Sequence, residues 1–139
     1  MVFLDTNVIL DILDEKRERH HAALMILSAA EKGAIKCCMS AKSVLDAAYV
    51  RTQTDKVSVS DFRRAATILC RIIAVRSITD DDIKFANQSD IDDYEDAAQI
   101  NCAARKDCTA IVTSYKTFKN YTKIPTYTVT EFYEKLFQV

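Results

Sequence analysis

The stretch Val2-Phe3-Leu4-Asp5-Thr6-Asn7-Val8-Ile9-Leu10-Asp11 decides the fold. Its apolar opening, Val2 to Leu4, reads as a short buried strand, and Asp5-Thr6-Asn7 caps the helical run from Val8 to Leu13. A strand apolar on both faces belongs inside a sheet covered by helices on both sides. Downstream the alternation continues. Ala23, Leu24, Leu27 and Ala30 fall at helical spacing between Arg19 and Lys32, and Gly33 stands at the expected helix stop. Ile35 to Met39 predicts a second strand, after which Ser40 caps a helix bearing Val44, Leu45, Ala48 and Tyr49. A polar stretch through Ser58 leads to a helix from Asp61 to Ala74, and Val75 to Ile78 predicts a third strand. Thr79 before Asp80-Asp81-Asp82 marks a helix start, because carboxylates favour the positive end of the helix dipole. Ser89 to Asp93 repeats that logic before a helix carrying Ala97, Ile100, Ala103 and Ala104. Ala110 to Thr113 predicts an interior strand, and Tyr127 to Val129 follows Pro125 before Thr130 caps a last amphipathic helix with Phe132, Tyr133, Leu136 and Phe137.

Composition agrees with one α/β domain over residues 1–139. The 139 residues are 49% hydrophobic, enough for one well-buried core, and a single glycine and a single proline argue against a many-turned sandwich or a disordered linker. A net charge of −1 exerts no global pull on nucleic acid, so RNA binding would rest on a local basic patch or on bridging ions. Cys37, Cys38, Cys70, Cys102 and Cys108 form no C-x-x-C pair and read as small reduced residues, mostly in apolar runs. With neither a leader nor an apolar segment of spanning length, the expectation is a soluble cytoplasmic protein that meets no membrane.

In parallel sheets, functional groups gather at the carboxyl ends of the strands. Asp5 ends the first predicted strand, Asp46 lies early in the helix after the second, and Asp96 lies in the first turns of the helix before Ala110 to Val112; Thr113 and Ser114 end that strand. Carboxylates brought into one crevice repel unless protons or cations neutralise them, and such oxygen donors suit Mg²⁺ or Mn²⁺. Metal-assisted phosphoryl chemistry is the hypothesis that follows. Each acid also has a plainer reading. Asp5 is an ordinary helix cap, and Asp92, Asp93 and Glu95 are ordinary first-turn acids. Asp46, between Val44-Leu45 and Ala47-Ala48, stands where an unpaired carboxylate would be costly. Lys116, Lys119 and Lys123 follow the strand end at which RNA would lie, and read equally as a solvated face.

Four segments together resemble the PIN-domain family and, within it, the small VapC-like toxin ribonucleases. They are Val2 to Asp11 with the first acid, Ser40-Ala41-Lys42-Ser43-Val44-Leu45-Asp46-Ala47-Ala48-Tyr49 with the second, Asp93-Tyr94-Glu95-Asp96-Ala97-Ala98-Gln99 with the third, and Ile111-Val112-Thr113-Ser114 followed by Phe118. The resemblance implies a Rossmann-like fold and a Mg²⁺- or Mn²⁺-dependent endoribonuclease, often a homodimer restrained by an antitoxin protein. It points to Asp5, Asp46 and Asp96 as catalytic metal ligands; Asp93, Asn7, Thr113 and Ser114 are the expected auxiliary groups, and Lys116 and Lys119, just beyond the strand end, the expected RNA contacts.

Two positions depart from the family pattern. The second acid is usually glutamate, and Asp46 is shorter by one carbon–carbon bond, about 1.5 Å. The fourth acid falls on Tyr115. Asp93, one helical turn before Asp96 and on the same face, can compensate for the missing fourth acid. A PIN fold that has lost efficient catalysis and serves as a binding or regulatory module is the alternative that Tyr115 favours. A phosphoacceptor receiver domain would want an acidic pair after its first strand, which Asp5-Thr6-Asn7 does not supply.

Tyr115 therefore carries a test. Tyr115→Asp is expected to tighten Mn²⁺ binding, since another anionic oxygen in a partly desolvated crevice adds attraction. The gain should disappear in Asp5→Asn/Tyr115→Asp. Equal Mn²⁺ titrations for wild type and Tyr115→Asp would show that position 115 does not face the acids.

Overall fold

The computed structural model describes residues 1–139 except Lys106 and the side chain of Lys116. Strands β1 (Val2–Leu4), β2 (Cys37–Ser40), β3 (Ala74–Arg76), β4 (Ala110–Val112) and β5 (Thr126–Tyr127) form one sheet in the order β3-β2-β1-β4-β5. Every pairing is parallel. Around it lie helices α1 (Thr6–Leu13), α2 (His20–Glu31), α3 (Ala41–Tyr49), α4 (Val59–Ile72), α5 (Asp80–Gln88), α6 (Tyr94–Ala103) and α7 (Val129–Phe137). This is the α/β architecture that the alternating sequence predicts. Among the described residues, no helix is long and apolar enough to cross a membrane.

The two-residue period of the strands divides the core. Val2 and Leu4 of β1, Met39 of β2 and Val112 of β4 join one apolar layer with Val8, Ile9, Ile26, Leu69, Val129 and Phe132. Phe3, Cys38 and Ile111 stand in register across the central strands and form the opposite layer with Ile100, Ala103 and Phe118. Cys37, Cys38, Cys102 and Cys108 are buried and unbridged, as small core residues should be, whereas Cys70 is exposed on α4.

Local chemistry moves several predicted boundaries. The last helix is capped by Thr128, not Thr130: the Thr128 hydroxyl accepts from the Glu131 amide at 3.1 Å and the Glu131 carboxylate accepts from the Thr128 amide at 2.8 Å. That reciprocal pair ends β5 at Tyr127. Helix α4 starts at Val59, before Asp61, because Ser58 accepts from the Asp61 amide. Strand β3 begins at Ala74 and stops before Ser77, one edge of the sheet. Part of the polar stretch before Ser58 is helical too, since Val50–Thr54 continues α3 as a wide π turn. Gly33 leaves α2 at φ 79°, the left-handed conformation that a helix exit requires and glycine adopts freely.

Helix α7 buries Val129 and Phe132 in the first of the two apolar layers. Phe132 is buried, and Leu136 is partly buried against the same layer, whereas Phe137 is 38% exposed. Phe132→Ala is expected to cost about 3–5 kcal/mol in urea unfolding, and Phe137→Ala less than about 1 kcal/mol. Deletion from Thr130 onward should leave the chain insoluble or partly unfolded.

Candidate functional site

The strand ends β1, β2 and β4 deliver Asp5, Ser40 and Thr113 to one edge of the sheet. Asp5 caps α1, accepting from the Thr6 amide at 2.9 Å, so its plainer reading holds as geometry. It also does more. Only 2% exposed, its carboxylate accepts from the Thr113 hydroxyl at 2.7 Å and from the Gln99 side-chain amide at 3.1 Å. Gln99 donates in turn to Ser43 Oγ at 2.7 Å and accepts from Ser40 Oγ at 2.7 Å, and Thr6 Oγ1 lies 2.9 Å from Ser43 Oγ. This network ties β1, β2, β4, α1, α3 and α6 together around one carboxylate.

Outside this floor a crevice of about 240 Å³ opens, lined among others by Asp5, Asn7, Lys42, Asp46, Asp93, Glu95, Asp96, Gln99 and Tyr115. Asp93 caps α6 by accepting from the Asp96 amide at 2.9 Å. Burial, then the negative charges of Asp93 and Asp5, push the Asp96 carboxyl up to about 6 against the partial relief of Lys42. Asp46 is half-buried rather than sunk in apolar surroundings, and Lys42, four residues earlier on α3, pairs with it. The same ammonium lies 3.4 Å from Glu95.

Of the residues singled out in the sequence, Asp5, Asn7, Asp46, Asp93 and Asp96 line the crevice, with Tyr115 on its wall. Thr113 reaches it through Asp5. Ser114 follows, half-buried, at the same strand end. Lys119 lines a separate hollow with Thr113, Tyr115 and Tyr127, and the Lys116 side chain lies outside the described part of the structure. Sequence reasoning missed Gln99, Ser43 and Lys42. A polar residue inside the alanine-rich run Ala97-Ala98-Gln99-Ile100 was the available signal for Gln99, since a buried amide must find partners. Among the described residues, no three His, Cys, Asp or Glu side chains converge closely enough to hold an ion.

The PIN domain family matches residues 1–116, from β1 past the Tyr115 wall of this crevice. The chain belongs to the PIN domain family. Its structure is similar to that of the sarcin-ricin-loop-cleaving toxin VapC20 of Mycobacterium tuberculosis, with a TM-score of 0.65 and 15% sequence identity over 87% of this chain and 95% of that one. No curated protein matches the sequence. At that identity the likeness to VapC20 is one of fold. Beyond the family match, β5 and α7 add an edge strand and the buried Val129 and Phe132.

The raised Asp96 carboxyl gives this PIN domain a pH signature. A folded-state pKa above the unfolded value means that the folded chain binds the extra proton, so stability falls as pH rises from about 4 through about 6. Asp96→Asn is expected to remove that loss, stabilising the metal-free protein at pH 8 by about 1 kcal/mol after discounting for solvent screening and not at all below about pH 4. Urea midpoints at both pH values check it.

Proposed function

We propose that this PIN domain is a metal-dependent endoribonuclease of the VapC-like toxin type, hydrolysing RNA phosphodiester bonds at Asp5, Asp46 and Asp96. The carrying observation is the crevice lined by five carboxylates and one ammonium, in which burial and then the charges of Asp93 and Asp5 push the Asp96 carboxyl up. Carboxylate oxygens are the donors that Mg²⁺ and Mn²⁺ prefer. Asp5 and Asp96, which line one crevice, would hold one ion that keeps several waters, since no close shell of three carboxylates forms among the described residues. When bound, such an ion supplies charge neutralisation and an activated water.

The chain's own residues do the positioning. Thr113 and Gln99 hold the two Asp5 oxygens on separate donors, which fixes the carboxylate plane. Asp96 and Asp93, from the start of α6, face Asp5 across the crevice. Asn7, Thr113 and Ser114 are auxiliary groups at the same edge, and Lys116 and Lys119 would meet RNA phosphates beyond it. The apolar groove of Ala41, Leu45, Ile78, Ile83, Tyr94 and Ala98, which shares Lys42, Asp46 and Glu95 with the crevice, supports an antitoxin partner able to cover the site. A homodimer in the cytoplasm completes the proposal, with residues 1–139 as one domain.

A catalytically weakened binding module is the second reading, favoured by Tyr115 and by the absence of a converged triad among the described residues. Incubation of a structured RNA with Mn²⁺ separates the two. Cleavage is expected for wild type, abolished by EDTA and reduced at least about 100-fold in Asp5→Asn and Asp96→Asn, on the order found when a catalytic electrostatic group is lost. RNA retained but uncut by well-folded wild type in Mn²⁺ would establish the binding module instead.

A further inference from the structure

Lys42 stands where helix physics does not favour it. It occupies the second position of α3, at the positive end of the helix dipole, where acids rather than cations are stabilised. Its pairing with Asp46, lysine first and acid four residues later, is the less favourable orientation along a helix. Local structure therefore does not explain this side chain. The crevice does.

The Lys42 ammonium contacts Asp46 on its own helix and lies 3.4 Å from Glu95 on α6, so it spans the crevice between two elements. It is also the least exposed of the three, at 26% against 39% for Asp46 and 74% for Glu95. An ordinary surface pair would leave its lysine outermost. Burying an ammonium is costly unless it is paired, and Asp46 and Glu95 supply the partners. Five carboxylates line the crevice, and Lys42 is the one cationic side chain among the described lining residues. Two of those acids are its partners, while Asp5, Asp93 and Asp96 lie outside its ion pairs.

We infer that Lys42 is a built-in cation that occupies the Asp46 and Glu95 half of the crevice and limits this PIN site to one divalent ion, held at the Asp5 and Asp96 half. The inference rests on the metal-dependent reading above. It makes Lys42 a positioning residue that sets ion stoichiometry, and it gives Asp46 a role through the ammonium. A divalent ion at Asp46 would have to displace a charge already paired there. With the fourth acid replaced by Tyr115, no further carboxylate at that position offers compensation.

Mn²⁺ titration by calorimetry tests this on the full chain, with circular dichroism as the check on folding. Wild type and Lys42→Arg are expected to bind one ion, Lys42→Met two, and Asp5→Asn none. The first ion should tighten roughly tenfold in Lys42→Met, the order expected when a like charge leaves a screened crevice. Lys42→Gln gives the same reading should the methionine variant fold poorly. Two ions in wild type, or one ion of unchanged affinity in Lys42→Met and Lys42→Gln, would overturn the role of Lys42 and leave the metal reading standing. No Asp5-dependent ion in wild type would overturn the metal reading, and the role of Lys42 with it.

Discussion

The Asp5 carboxylate is almost wholly withdrawn from water, and a buried anion is tolerated only where hydrogen bonds replace its hydration. Thr113 from the end of β4, Gln99 from α6 and the Thr6 amide of α1 supply them. Each donor fixes a different element, so the need to solvate one charge dictates how the sheet edge and α6 meet. Ser40 and Ser43 extend the constraint to β2 and α3 by satisfying the far side of Gln99. Removing any one donor would leave a buried polar group short of a partner, a penalty of order 1–3 kcal/mol.

Capping and chemistry share the same atoms here. Asp5 caps α1 and Asp93 caps α6, while Asp96 stands in the first turn of α6. Helix starts offer amide protons and positive potential, which makes them the places where carboxylates collect at least cost. All the acids of the crevice but Asp46 thus have local reasons to be there, and their shared location turns local capping into a region of strong negative charge. Lys42 answers that charge by pairing, and the Asp96 carboxyl, under burial and then the charges of Asp93 and Asp5, by holding a proton more tightly.

Other acids of the chain have purely structural work. Asp82, in the acidic triplet that starts α5, is buried and accepts from Arg105 at 2.8 Å and Asn101 at 2.9 Å, pinning α5 to α6. Asp11 closes the passage from α1 to α2 through Arg17 at 2.7 Å, with His20 reaching its backbone carbonyl. Its second oxygen has no hydrogen-bond partner among the described residues. Sequence spacing does not distinguish these two from Asp5 or Asp96, because all four stand in or beside helical segments.

The fold class was legible in the chain because burial on both faces demands uninterrupted apolar runs, and Val2 to Leu4 and Ala110 to Val112 supply them. Helix starts at Asp5, Ser40, Thr79 and Asp93 were legible too, since capping depends on residues only a few positions apart; Ser58 reads as part of a polar stretch before a helix from Asp61, and Thr130 reads as the cap that Thr128 supplies because both are threonines near the same turn. What local spacing could not reveal is which distant groups share an acid. Asp5 meets Thr113 and Gln99 only after β1, β4 and α6 have packed, and Lys42 can be recognised as a cation between Asp46 and Glu95 only once α3 and α6 face each other. Capping is a property of neighbours along the chain, whereas the charge of a crevice is a sum over residues that only the tertiary structure brings within reach.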